Sequence, residues 1–112
     1  MAESIKVLAQ SCPGNTTLAG IYTVPASPAT AATLSSITVC NLSAAVRTFD
    51  ISIAVNNATD DAKQYIFKDQ EIDANSNFSA TIGITLGPGD VVKVRSSFAS
   101  SLAFNIFGIE VS

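Results

Sequence analysis

The sequence predicts an all-β fold, a single-domain antiparallel β-sandwich of about eight strands, jelly-roll-like, spanning residues 1–112. Three observations lead there. Apolar and polar residues alternate with a period of two through most of the chain, and helical periodicity is nearly absent. Clusters of Gly, Pro, Asn and Asp interrupt the alternation at intervals of about ten residues. Strands this short bury an apolar face only by packing on a second layer, which is the sandwich solution. At 112 residues the chain is long enough for one hydrophobic core and too short for two.

The elements follow in order. Ile5 to Ala9 opens the series, Cys12-Pro13-Gly14-Asn15 ends it, and Leu18 to Val24 forms the next strand before Pro25 to Pro28 remove ladder donors. Leu34 to Leu42 is the third, stopped at Ser43-Ala44. Phe49, Ile51, Ile53 and Val55 then mark a core face, with Asp50, Ser52 and Ala54 between them. After a turn over Asn56 to Asp61, Gln64 to Ile72 reads as the fifth strand and Asp73 to Ser76 as its end.

Phe78, Ala80, Ile82, Ile84 and Leu86 alternate with Asn77, Ser79, Thr81, Gly83 and Thr85, long enough to cross a whole sheet, with Gly83 marking a bend or bulge. Gly87-Pro88-Gly89-Asp90 is a tight turn, since no helix follows to receive an anion. Val91 to Ser96 and Leu102 to Val111 complete the set. The last strand is apolar in both registers, Leu102, Phe104 and Ile106 in one and Phe107, Ile109 and Val111 in the other. Such a strand is either central in the sandwich, the favoured reading, or covered by a neighbouring subunit.

Composition narrows the function. Hydrophobic residues make up 47% of the chain, but charged residues only 13%, against roughly 25% in typical soluble domains. The surface is therefore dominated by Ser, Thr, Ala and Asn, which desolvate at low cost and suit burial in an assembly. A net charge of -3 without a basic run excludes nucleic acid as an expected partner. No apolar stretch is long enough to span a bilayer, and Met1-Ala2-Glu3-Ser4 lacks the start of a secretory signal, so no membrane partner is expected and the product is made in the cytoplasm. The four glycosylation sequons, beginning at Asn15, Asn41, Asn57 and Asn77, are then coincidental.

The chain contains no His, which removes the commonest general base and metal ligand. Cys12 and Cys40 are too few for a zinc site and are expected to be buried, inert thiols. Asp69, Glu71 and Asp73 lie two apart and project to one face, read as a solvated edge that discourages foreign pairing rather than as a metal site. No catalytic, cofactor or metal residue is assigned. The interface candidates are Tyr65, Phe67 and Lys68 on one strand and the turn residues Arg95 and Phe98.

Tyr22-Thr23-Val24-Pro25-Ala26, followed by Ser35-Ser36-Ile37-Thr38-Val39-Cys40-Asn41, resembles a recurrent family of small tailed-bacteriophage virion proteins common among cyanophages and other marine phages. The likeness continues through Lys63 to Asp69, Phe78 with Thr81 to Leu86, Gly89 to Val94 and Phe104 to Gly108. The resemblance implies a non-enzymatic virion structural protein, with capsid cement or decoration as the leading role and the major capsid protein or other virion proteins as partners. It also implies a homo-oligomeric or lattice-bound state, and it transfers no functional residue. A tail, neck or fibre adaptor is the alternative within the virion, and a carbohydrate-binding module using Phe67 and Phe98 the alternative of another class.

Overall fold

The computed structural model describes residues 3–25 and 31–111. Its strands, in chain order, are β1 Glu3–Ser11, β2 Ala19–Thr23, β3 Ala31–Asn41, β4 Arg47–Ala54, β5 Tyr65–Ile72, β6 Asn77–Leu86, β7 Val91–Ser96 and β8 Leu102–Val111. Short 3-10 turns at Val55–Asn57 and Ala62–Gln64 lie between β4 and β5. The strands form two antiparallel sheets in the orders β1-β8-β3-β6 and β2-β7-β4-β5. Only β4 and β5 are both consecutive and paired; every other connection crosses between layers, which defines an eight-stranded jelly roll.

Side chains from both inner faces meet in one core, including Leu34, Ile37 and Val39 of β3, Phe49 and Ile51 of β4, Val92 and Val94 of β7, and Leu102, Phe104 and Ile106 of β8. Phe49 anchors an aromatic group, with ring centroids 5.9 Å from Phe104 and 5.3 Å from Phe78. At the end of β3, Asn41 is buried. Its Nδ2 donates to the Ala45, Ile72 and Asp73 carbonyls at 2.9, 3.1 and 3.1 Å, and its Oδ1 accepts from the Ser43 N–H at 2.9 Å. One polar side chain thereby bonds carbonyls on both sides of β4 and β5 that burial would otherwise leave dependent on fewer donors, the Ala45 carbonyl also accepting from the Ser43 hydroxyl at 3.0 Å.

The turns behave as their residues require. Gly89 adopts φ of 85°, and Asp90 closes the loop by accepting from the Gly87 N–H through Oδ2 and from the Asn56 N–H through Oδ1, both at 2.8 Å. The register of β3 against β6 steps between Leu34 and Ser36, opposite the stretch containing Gly83, where the glycine marks an irregularity. The expected turn at Pro25 to Pro28 lies mostly outside the described residues.

Several expectations need correction. Val55 turns away from the core face into the 3-10 turn and is exposed, because β4 ends at Ala54. Gln64 precedes β5, where it completes a capping box with Asp61. Both cysteines are exposed rather than buried. For Cys40 the cause is phase. Leu34 points inward, the step at Ser35 and Ser36 shifts the alternation by one residue, Ile37 and Val39 then point inward, and Cys40 points out.

Candidate interaction surface

The outer face of the β1-β8-β3-β6 sheet follows from register. Ile5 pairs with Ile109 and Val7 with Phe107, while Thr33, Ser36 and Thr38 of β3 lie opposite Thr85, Thr81 and Ser79 of β6. Because Leu34, Ile37, Val39, Phe104 and Ile106 face inward, these rows face out. Its β1–β8 half is an apolar stripe, with Ile5 81% and Val7 49% exposed beside half-buried Phe107 and Ile109. The β3–β6 half is a field of hydroxyl groups. Among the described residues of these rows, Glu3 at one corner is the only charged side chain. Cys40, opposite Ala103, belongs to the same face, and Cys12 follows the end of β1 beside a shallow hollow of about 300 Å³ lined by Gln10, Ser11 and Asn105.

The outer face of the β2-β7-β4-β5 sheet has the opposite character. Asp50, whose side chain is 1% exposed, accepts from the Asp69 N–H at 2.8 Å, with Lys68 Nζ at 3.3 Å and the Arg95 guanidinium at 3.5 Å. A buried carboxylate persists only with such donors. The Asp50 carboxylate, through hydrogen bond and charge, raises the Lys68 ammonium above its ordinary pKa. Lys93 pairs with Asp60 at 2.6 Å.

The sequence-derived interface residues fall in three places. Lys68 and Arg95 gather around Asp50, and Tyr65, opposite Ser52, stands beside them with its ring centroid 5.3 Å from Lys68 Nζ. Arg95 belongs to β7 rather than to a turn, because pairing with Asp50 continues the ladder past it. Phe67 instead packs half-buried against the core, 5.3 Å from Phe78. Phe98 does sit in a turn, 55% exposed, with the Arg47 guanidinium 3.9 Å from its ring centroid. Asp50 escaped notice in the sequence. An Asp inside an alternating strand, with cations at Lys68 and Arg95, was the available signal.

A third polar group joins the layers where β1 meets β2. Tyr22 donates its hydroxyl to Glu110 at 2.5 Å, and Lys6 pairs with the same carboxylate at 2.7 Å. Lys6 first, then Tyr22, holds the Glu110 carboxyl below its usual range, while burial and the Glu110 hydrogen bond push the Tyr22 phenol up. Among the described residues no three His, Cys, Asp or Glu side chains are placed to hold a metal ion, and no helix is long and apolar enough to cross a membrane.

The class this geometry defines is the eight-stranded jelly roll. Solved structures of that class include viral capsid proteins. A chain of the T13 particle of infectious bursal disease virus (IBDV) superposes with a TM-score of 0.60 at 5% identity, covering 98% of this chain and 31% of that one. The VP2 subviral particle of the same virus gives 0.58 at 9% identity, covering 98% and 32%. A chain from the acid-stable capsid of Helicobacter pylori bacteriophage KHP30 gives 0.54 at 11% identity, covering 98% of this chain and 87% of that one. This chain therefore spans about a third of the bursal virus chains but most of the phage one. At these identities the likeness is one of fold. No protein-family model matches the chain, and no curated protein sequence does.

Proposed function

We propose that this chain is a non-enzymatic structural protein of a bacteriophage virion, acting as a cement or decoration protein that beds its uncharged outer sheet face onto the major capsid subunits. The observation that carries the reading is that face: rows of apolar, hydroxyl and amide side chains across β1, β8, β3 and β6, charged, among the described residues, only at the Glu3 corner. Interface cores are depleted in charge, and such a face loses little solvation when covered. Support comes from the KHP30 capsid, in which a chain of nearly the same length has this fold. The Asp50 cluster, with its charges already paired, is read as part of the outward surface.

Cys40 provides the test, since it stands on the proposed interface. Maleimide should label Cys40 rapidly in the free protein and slowly in the intact particle, and quantitative mass spectrometry should find copies in proportion to the major shell subunit. Equal labelling in both states would remove the face from the interface. A copy number matching the tail's symmetry would replace the shell with the tail or neck.

A further inference from the structure

The two flanks of the sandwich are closed by different chemistry. Where β1 meets β2, the Lys6–Glu110–Tyr22 group ties the layers with polar contacts. Where β5 meets β6, the closure is apolar. Phe67 and Phe78 pack ring to ring at 5.3 Å, and Phe78, Ile82 and Ile84 point toward the core yet stay only half-buried because no further strand covers β6.

The edges differ as well. An edge strand offers unpaired backbone groups to any other strand, and charges or bulges are the usual protection. β5 carries Lys68, Asp69 and Glu71, with a bulge at Asp69, whose φ is 52°. β1 carries Glu3 and Lys6 and a register step at Leu8, and β2 is only five residues long. β6 is ten residues long and holds no charged residue. Its register step lies between Thr81 and Ile84, leaving Asn77 to Thr81 in regular pairing with β3.

We propose that two copies of this chain join edge to edge through β6, antiparallel across a two-fold axis at Ser79, so that their β1-β8-β3-β6 sheets run on as one. A two-fold axis sets each strand against itself, so a charged edge meets charge of its own sign in many registers, and β6 is the long edge free of that repulsion. An axis at Ser79 keeps the pleats of the two copies in phase. On the outer face Ser79 meets Ser79 and Asn77 meets Thr81; on the inner face Phe78 meets Ala80, covering the half-buried apolar flank. The uncharged outer face then doubles in width without a break.

Sedimentation equilibrium on the full chain over a rising concentration series tests the pairing. The wild type should show a monomer–dimer equilibrium. Ser79→Lys, at an exposed position that leaves the core untouched, sets two ammonium groups against each other and should weaken dimerisation roughly tenfold or more. Ser79→Glu should do the same, and an equimolar mixture of the two variants should dimerise at least as well as wild type. A protein monomeric to its solubility limit would overturn the proposal. So would a dimer indifferent to both Ser79 variants, or slow amide exchange along β6 that appears only when a different virion protein is bound. None of these results bears on the capsid reading, which rests on Cys40 labelling and copy number.

Discussion

The two sheets bury matching apolar inner faces and present unlike outer ones. Outside β2-β7-β4-β5, ionic groups are paired among themselves around Asp50 and at Lys93–Asp60. Outside β1-β8-β3-β6, the rows are apolar, hydroxylic or amide, with Glu3 the one charge among the described residues. The shortage of charge in the composition is thus a segregation. Because consecutive strands of a jelly roll mostly alternate between layers, the outward rows of β1, β3, β6 and β8, charged only at Glu3, are dispersed in sequence and converge on one surface only in the fold. Interface cores are depleted in charge, so the second surface is the more readily covered of the two.

Substitutions separate the two sheets. The largest effect is expected at Gly108 of β8, where a Cβ would stand 2.0 Å from the Thr33 carbonyl oxygen and 2.9 Å from Leu8 Cδ1. Gly108→Val should cost upwards of about 3 kcal/mol in urea unfolding, and a folded variant of wild-type stability would mean that this sheet yields more than its packing suggests. Next, Ile5→Lys places a charge on the proposed interface at a position 81% exposed in the free chain. Its melting should stay within about 0.5 kcal/mol of wild type, while binding to capsids stripped of the protein should weaken by about 3 kcal/mol, on the order of a hundredfold. Unchanged binding would break the assignment of that face.

On the other sheet, Asp50→Ala strands Lys68, Arg95 and the Asp69 N–H and should cost about 2 kcal/mol, whereas Thr38→Ala on the uncharged face should stay within about 0.5 kcal/mol. Equal losses in urea titrations would show that the faces differ in composition but not in stabilising role. The smallest effect is that of pH on the β1–β2 flank. Glu110 has a lowered folded pKa, so its contribution is full above the ordinary carboxylate range and fades as pH falls through the folded value. Tyr22 is raised, so its contribution is full below the ordinary phenol range and fades as pH rises beyond it. Glu110→Gln should flatten the acid limb of a melting-temperature profile, and Tyr22→Phe the alkaline limb.

Period-two alternation made most of the strands legible, and turn chemistry placed most of their ends. What the pattern missed came from contacts distant in sequence. The start of β3 at Ala31, in a run of poor strand formers, depends on pairing with Val111 at the far end of the chain. The outward turn of Cys40 depends on a bulge whose serines look like ordinary polar positions. Half-buried Phe78 and Ile84 read as core residues because alternation reports direction, not whether a further strand covers them. The apolar stripe was partly visible in the second register of β8, where Phe107, Ile109 and Val111 exceeded what one core requires. That β8 is central in its sheet while this register faces outward satisfies the first reading of the strand and leaves its outer face open to the second. The Ser and Thr rows gave no signal, since such residues are equally at home on a solvated strand.

One pairing already described bears on engineering. Glu3 lies opposite Val111 and Ser4 opposite Glu110, so the two ends of the described chain leave the sandwich side by side at one corner. A peptide or fluorescent protein fused at either end would emerge at the same place, next to the exposed side chain of Ile5. Joining these ends with a short linker and reopening the chain at Asp73–Ser76, level with Cys40 and Ala103 at the opposite end of the sheet, would give a circular permutant with the same sheets and a new pair of termini, which would carry a displayed cargo away from that corner.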